Sequence, residues 1–406
     1  MNRLILGTLC ALIICGCGRD GKPAPAQPNA DGITVACYYF GNYHPGDPRN
    51  EKDRGEGWTE WNLLKTAKPR FHGHQQPKIP IWGYEDESDP NVMARKIDTA
   101  ADYGIDAFIF DWYHYDDGPF LAAPIDNGFL KAPNNDRLKF AFMWANHDWL
   151  DIFPARKDKP PQVMYPGKVT PETFTRICDL LIADYFTHPS YWRIDGKPYF
   201  SIYDLERLMA SFGGITETRA ALDAFRAKAT AAGLPGIHLN LVAWGQPILP
   251  NERVAGDYTQ LVPALGFDSV TSYVWVHHVP LNDPVTDYNT ARDAYLAYAD
   301  RAKADYTVPY YPNVSIGWDP SPRCHISDAF GNFGYPFTNI IGNNTPANVQ
   351  TALTMVKDRL LSDPAGPRIL NINCWNEWTE GSHLEPDTRN GYRHLQAVKN
   401  VFRASP

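Results

Sequence analysis

Apolar residues recur along the chain in two alternating periods, one suited to strands and one to helices. Residues 34–40 (TVACYYF) form a β-branched and aromatic run. The same signal returns at 105–110, 138–144, 197–203, 237–243, 267–276, 308–316 and from 369 onward. Between these runs the spacing lengthens to that of amphipathic helices. Pro90 opens one to about residue 103, with Val92, Met93, Ile97, Ala100 and Ala101 on its apolar side. Others are predicted at 120–131, 171–186 behind Thr170, 216–232 before Gly233, 288–304, 345–361 and 392–402, with a short helical patch before the sixth strand. Eight strands separated by helical segments predict an α/β fold, a (β/α)8 TIM barrel with long βα loops, as one catalytic domain over 33–406. That exceeds the ~250 residues typical of such a barrel. The surplus follows strands, at 41–89, 146–169, 277–287 and 319–344, where it would build walls around a cleft. Two separate α/β domains are the weaker partition, because no linker-like composition occurs after Gly32.

The N-terminus stands apart. Met1-Asn2-Arg3 is a short positive region, and residues 4–15 are apolar but too short to span a bilayer as a mature helix. Ile14-Cys15-Gly16-Cys17 resembles a bacterial lipobox. Residues 1–16 therefore read as a lipoprotein signal peptide and Cys17 as the lipidated mature N-terminus. Residues 17–32, rich in Pro, Ala and Gly, read as a flexible tether. The expected location is an exported one, lipid-anchored to a bacterial membrane at the surface or periplasmic face. A cleaved secretory signal with incidental cysteines is the alternative. Cys37, Cys178, Cys324 and Cys374 have no metal-site or disulfide-framework spacing. Cys37 and Cys374 fall on the first and last strands, neighbours in a barrel, and are expected to pack as thiols, with a disulfide as the alternative.

A net charge of −8 and the lack of basic runs argue against nucleic acid, while 13% aromatic residues suit a carbohydrate surface. The densest chemistry lies at 369–387, ILNINCWNEWTEGSHLEPD, where Glu377 and Glu380 flank Trp378 and Gly381 follows. On an extended strand two residues three apart face opposite ways, but a turn after Glu377 brings them to one side. Gly381 is suited to finish that turn with φ > 0. Two carboxylates beside aromatic faces are the equipment of glycoside hydrolysis.

Polar and aromatic residues also gather where the other strands end, the rim on which barrel enzymes place their sites. The candidate sugar contacts are Tyr39, His44, Glu60, Trp61, His74, Asp111, Trp112, His114, Trp144, Asn146, His147, Tyr203, Trp244, Tyr273, Trp318, Asp319, Arg323, Trp375 and Asn376. Asp204 sits on the same rim. Taken singly, each Trp reads as ordinary packing; together they favour a glycan cleft. The loop histidines lack ligand spacing, so no metal is expected, and no cofactor is implied. There is no GxSxG elbow, P-loop or dinucleotide fingerprint.

WNEWTEGSHLEPD, GWTEWNLLKTAKPRFHGHQQPKIP (57–80), YGIDAF (103–108), WAN (144–146) and GWDPSPR (317–323) occur in an order that resembles WbsX-type proteins, grouped with glycoside hydrolase family 99. The resemblance spans most of 33–387. Family 99 enzymes are endo-acting α-mannosidases on a (β/α)8 barrel with an E-W-x-E pair. The resemblance implies Glu380 as general acid/base and Glu377 as the base that takes the proton of the substrate 2-hydroxyl. That hydroxyl attacks C1 to give a 1,2-anhydro sugar, with net retention, so it must lie trans to the leaving group, as in α-mannosides or α-rhamnosides. Where WbsX-type sequences usually read W-A-N-E-N-W, this chain has Trp144-Ala-Asn-His147-Asp148-Trp149. His147 or Arg323 is thereby a candidate for an anionic substituent such as a uronate or sulfate, the other role for Arg323 being to bridge loop carboxylates.

The expected function is an exported lipoprotein glycosidase acting as a monomer on an external poly- or oligosaccharide. A WbsX-type glycosyltransferase of polysaccharide synthesis, or a non-catalytic glycan-binding lipoprotein, are the alternatives. The export signal weighs against the first, since sugar-nucleotide donors are cytoplasmic. The second leaves the paired glutamates without a task.

Overall fold

The computed structural model describes residues 31–403; the leader and Cys17 lie outside them. The barrel strands are β1 (Thr34–Tyr39), β2 (Ala107–Tyr115), β3 (Lys139–Trp144), β4 (Lys197–Ile202), β5 (His238–Val242), β6 (Ser269–Thr271), β7 in two pieces (Tyr310–Tyr311 and Asn313–Ser315) and β8 (Ile369–Asn373). All neighbouring pairs around the ring are parallel. β1 lies between β2 and β8, with Cys37 opposite both Phe108 and Ile372. The strands are buried on both faces, which explains their continuous apolar runs. This is the α/β TIM barrel expected from the sequence.

Helices on the outside begin where the chain supplies caps. α1 (Pro90–Asp102), α2 (Pro171–Leu180) and α6 (Pro346–Leu361) each carry Pro in the first turn behind a capping side chain, Asp89, Thr170 and Thr345. The helix Leu205–Phe212, capped by Asp204, and α3 (Ile215–Ala231), α4 (Tyr258–Leu265), α5 (Tyr288–Asp305) and α7 (Arg393–Phe402) also belong to the outer layer.

The ring closes at a break. Pro312 has no N–H, so β7 cannot run as one ladder. Its first piece pairs with β6 and its second with β8, so the two ends of the sheet meet through one strand. The Asn313 N–H donates instead to the Tyr295 hydroxyl of α5 at 2.8 Å. Side chains also replace ladder bonds beside β6, which stops at Thr271 rather than near 276. Trp275 N–H donates to Ser315 Oγ at 2.9 Å, and its indole to the Asn313 carbonyl at 3.1 Å. β2 runs five residues past the expected 110 and folds back onto Gly118–Phe120. The helix expected at 120–131 is therefore only a π-helical turn, Pro124–Phe129. The four cysteines of the described residues are buried free thiols, and Cys374 Sγ lies 2.9 Å from the Tyr38 carbonyl.

Tyr295→Phe leaves the buried Asn313 N–H without an acceptor. We expect a loss of about 1–3 kcal/mol, read as a lower urea midpoint. An unchanged midpoint would show that the β7 break does not depend on this bond.

Candidate active site

The chain leaves β8, makes a two-residue pairing of Asn376–Glu377 with Ser382–His383, and between them forms a tight turn over Trp378–Glu380. Gly381 ends it at φ 68°. A Cβ there would stand 2.8 Å from Asp319 Cβ, so no larger residue fits without displacing the strand 7 loop. The turn sends Glu377 and Glu380 into one cleft while Trp378 and Thr379 point away.

Both acids meet on Arg323. Its Nη1 donates to Glu380 Oε1 at 2.6 Å, and its Nη2 lies 3.2 Å from each Glu377 oxygen. Nε and Nη2 reach Glu60 Oε1 at 2.8 and 2.7 Å, and Nη1 also bonds the Tyr335 hydroxyl. A guanidinium has five N–H donors, and these contacts engage all three of its nitrogens. Arg323 therefore takes the role of bridging loop carboxylates and is not free to hold an anionic substituent. Phe40 and Phe153 flank the cation at 5.4 and 5.2 Å from their ring centres.

One cation faces four carboxylates here, counting Asp111, and all of them are nearly or fully buried. Burial pushes the Glu377, Glu380 and Asp111 carboxyls above their usual range, and Arg323 opposes the rise at each. With too little positive charge for full ionisation, the pair Glu377/Glu380 retains a proton to higher pH than free carboxylates and titrates as a unit. Glu380 Oε1 accepts from Tyr335 (2.7 Å) and Arg323, so its Oε2 is the atom available to carry a proton. Asp111 Oδ2 accepts from Tyr273 at 2.9 Å, and its buried Oδ1 has no partner.

His147 also lines the cleft. Its Nδ1 is 2.9 Å from the Asp148 carbonyl and must donate to it, leaving Nε2 an acceptor. Burial pushes its pKa down to about 4, so it is neutral at pH 7. Tyr203, Tyr273 and Trp318 complete the expected residues that line the cleft.

The other candidates sit behind it. Strand alternation turns Asp111 and Tyr113 inward and Trp112 and His114 outward; Trp112 stacks on Phe142, and the His114 ring bonds the Tyr115 carbonyl. Trp144 and Trp375 likewise face away, against Phe174 and Phe108. Tyr39 packs on Phe108 and Phe110, and Trp61 between Tyr43 and Trp378. Trp244 stacks on His277, and the His44 ring bonds the Pro45 carbonyl. Asn146 clamps both backbone groups of Asp204, whose own side chain caps the next helix. His74 and Asp319 hold each other at 2.9 Å, a contact that with nearby Lys78 lowers the Asp319 carboxyl to about 2 despite burial. Glu60 is sealed beneath Arg323, held by Asn42 at 2.7 Å and by Thr379. None of these reaches the cleft. Phe40, Tyr113, Phe153 and Tyr335, which do, were not expected. Tyr113 follows from Asp111 by strand parity; Tyr335 sits in a long loop with no sequence signal.

A second ion cluster holds the turn from below. Lys96 of α1 lies 2.5 Å from Glu87 and 2.6 Å from Glu385. Glu87 accepts from Asn376 at 2.8 Å and Glu385 from the Trp378 indole at 2.7 Å. The two neighbours of Glu377 are thus tied to one buried ammonium.

Residues 35–398 match the family described as Glycosyltransferase WbsX. Over 385 residues the chain is 28% identical to the "Uncharacterized protein WxcX" of two strains of Xanthomonas campestris pv. campestris. That match takes in 94% of this chain and 51% of theirs, so the chain spans about half the length of the curated relatives it matches. Among solved structures, a GH99 endo-alpha-mannosidase from Bacteroides thetaiotaomicron, in complex with bis-tris-propane, aligns with a TM-score of 0.53 at 13% identity, covering 91% of this chain and 95% of that one. A protein described as glycoside hydrolase-like gives 0.56 at 15%, covering 95% and 98%. The fold is thus a TIM barrel similar to that of these two structures.

Removing Arg323 strands three buried carboxylates. Arg323→Met is expected to cost about 3–5 kcal/mol, measured by urea unfolding, and adding Glu60→Gln should recover part of that loss. A double variant no more stable than the single one would show that charge crowding is not what Arg323 relieves.

Proposed function

We propose that this chain, which belongs to the WbsX family, is a glycoside hydrolase acting on α-linked glycans whose 2-hydroxyl is trans to the leaving group. The observation that carries the reading is the convergence of Glu377 and Glu380 on Arg323 in one aromatic-walled cleft, with Glu380 Oε2 left free. Glu380 donates its proton to the departing glycosidic oxygen. Glu377 takes the 2-hydroxyl proton as O2 closes on C1 and the C1–O bond breaks. Water then opens the 1,2-anhydro ring: Glu380 removes its proton, Glu377 returns one to O2, and the anomeric configuration is retained. His147 Nε2 supplies an acceptor for a sugar hydroxyl. His147 stands where WbsX-type sequences usually have Glu, offering a neutral acceptor in place of a charged one. We place the protein outside the cytoplasm on a lipid anchor at Cys17, acting on a poly- or oligosaccharide.

A glycosyltransferase is the second reading, favoured by the description of the family itself. Product analysis separates them. Wild-type protein incubated with α-mannans, rhamnose-containing glycans and sulfated polysaccharides should release reducing ends of retained anomeric configuration by NMR, without any sugar nucleotide. Glu380→Gln should lower turnover by about 10²–10⁴-fold while keeping binding. A requirement for a nucleotide sugar, or full turnover by Glu380→Gln, defeats the hydrolase reading.

The rate should be bell-shaped in pH. Below the lower apparent pKa both acids are protonated and the base is lost; above the upper one both are ionised and the acid is lost. Because burial raises both groups, each limb should lie above the pH of a free carboxylate. A rate constant from pH 4 to 9 would contradict this. For the anchor, wild-type protein made in a bacterial host should partition into detergent and Cys17→Ala should not; equal partitioning would remove the lipid from the account.

A further inference from the structure

The cleft does not end at the acids. Ile152, Ile248, Leu249 and Tyr335 line it and also line a groove of about 1220 Å³ that runs outward between the 151–162 loop, the 247–250 loop and the 333–337 segment. That volume exceeds the ~300–1,000 Å³ of pockets for single small ligands. Continuity with the candidate active site makes the glycan chain its occupant, and this step rests on the hydrolase reading above.

The groove has a platform and a charge. Phe333 is 66% exposed, the highest of the exposed large hydrophobic residues among those described. An open aromatic ring beside a sugar cleft offers a face for C–H surfaces. The Lys157 ammonium sits 3.5 Å from the centre of that ring. Of the acidic residues lining the groove, Asp158 is paired with Arg156 at 3.2 Å and Asp151 with Arg54 at 3.4 Å. Asp328, just outside it, accepts from the Lys157 backbone N–H at 3.1 Å. Lys157 and Lys159 also line the groove, and neither ammonium has a carboxylate within ion-pair distance among the described residues. Lys157, against the aromatic platform, and Lys159, on the same groove, thus lack a carboxylate partner on a chain whose net charge is −8. A neutral glycan would give neither ammonium a counter-charge.

We propose that the Phe333 groove is a remote binding subsite for an acidic polysaccharide, with Lys157 and Lys159 recognising a carboxylate or sulfate on a sugar seated against Phe333. Arg323, wholly committed to Glu60, Glu377 and Glu380, does not share this task, so charge recognition is separated from the site of bond cleavage.

The test is affinity electrophoresis of the full-length Glu380→Gln protein through gels containing polygalacturonate, a sulfated galactan, neutral α-mannan or no polymer. Retardation by one acidic polymer should exceed that by mannan and should fall as salt is raised. The polymer that retards more identifies carboxylate or sulfate as the recognised group. Lys157→Ala/Lys159→Ala should weaken that binding about tenfold, a change equivalent to the loss of one or two charge-assisted contacts. Phe333→Ala should weaken it as well, with thermal melting unchanged in both because the residues are at the surface. Equal retardation by mannan, no retardation by either acidic polymer, or insensitivity to the lysine substitutions would overturn the subsite. Wild-type turnover of a neutral α-glycan would leave the hydrolase reading standing in each of those cases, so the two failures are distinguishable.

Discussion

One guanidinium holds this site together. Glu60, Glu377 and Glu380 come from the loop after β1 and the turn after β8, and Arg323 comes from the loop after β7. A carboxylate buried with other carboxylates cannot stay ionised unless a cation compensates it. Arg323 supplies one positive charge to several acids. It compensates enough to keep the cluster folded and too little to ionise all of it. Burial without full compensation therefore holds the Glu377 and Glu380 carboxyls above their usual range. Tyr335 refines the arrangement by occupying the same Glu380 oxygen as Arg323, so the other oxygen is left for chemistry.

The barrel serves this constraint through its last two strands. β8 delivers the glutamate turn and β7 delivers the Arg323 loop, and the two are locked where Gly381 lets the turn approach Asp319. Asp319 N–H in turn donates to the Glu380 carbonyl at 2.5 Å. From the other side, Lys96 fixes Asn376 and Trp378 through Glu87 and Glu385, so that Glu377 is held on both flanks. Many polar residues of the rim motifs thus touch each other and the backbone around the acids rather than the cleft itself.

That division explains what was legible in the sequence. Strand and helix periods are local properties, and they located the barrel, its order and the long loops. The glutamate pair was legible because two acids, tryptophans and a glycine crowd a few residues. Side-chain direction was not. Trp112 and Trp144 stand near strand ends, but strand parity turns them outward into aromatic packing, and Trp375, beyond its strand, packs on Phe108. Asn146, Asn376 and His74 were read as hydroxyl binders, and they satisfy buried backbone or carboxylate groups whose need is set by tertiary contacts. Tyr335 lies in a loop whose path no local signal determines.

If Arg323 undercompensates Glu377 and Glu380, the pair shares a retained proton. Carbon-13 NMR of glutamate labelled at the side-chain carboxyl, assigned by Glu377→Gln and Glu380→Gln, follows that proton directly across pH. Two linked titrations assigned to this pair are expected, the upper one well above the ~4.3 of an unperturbed glutamate. Two independent titrations near that ordinary value would contradict the shared proton.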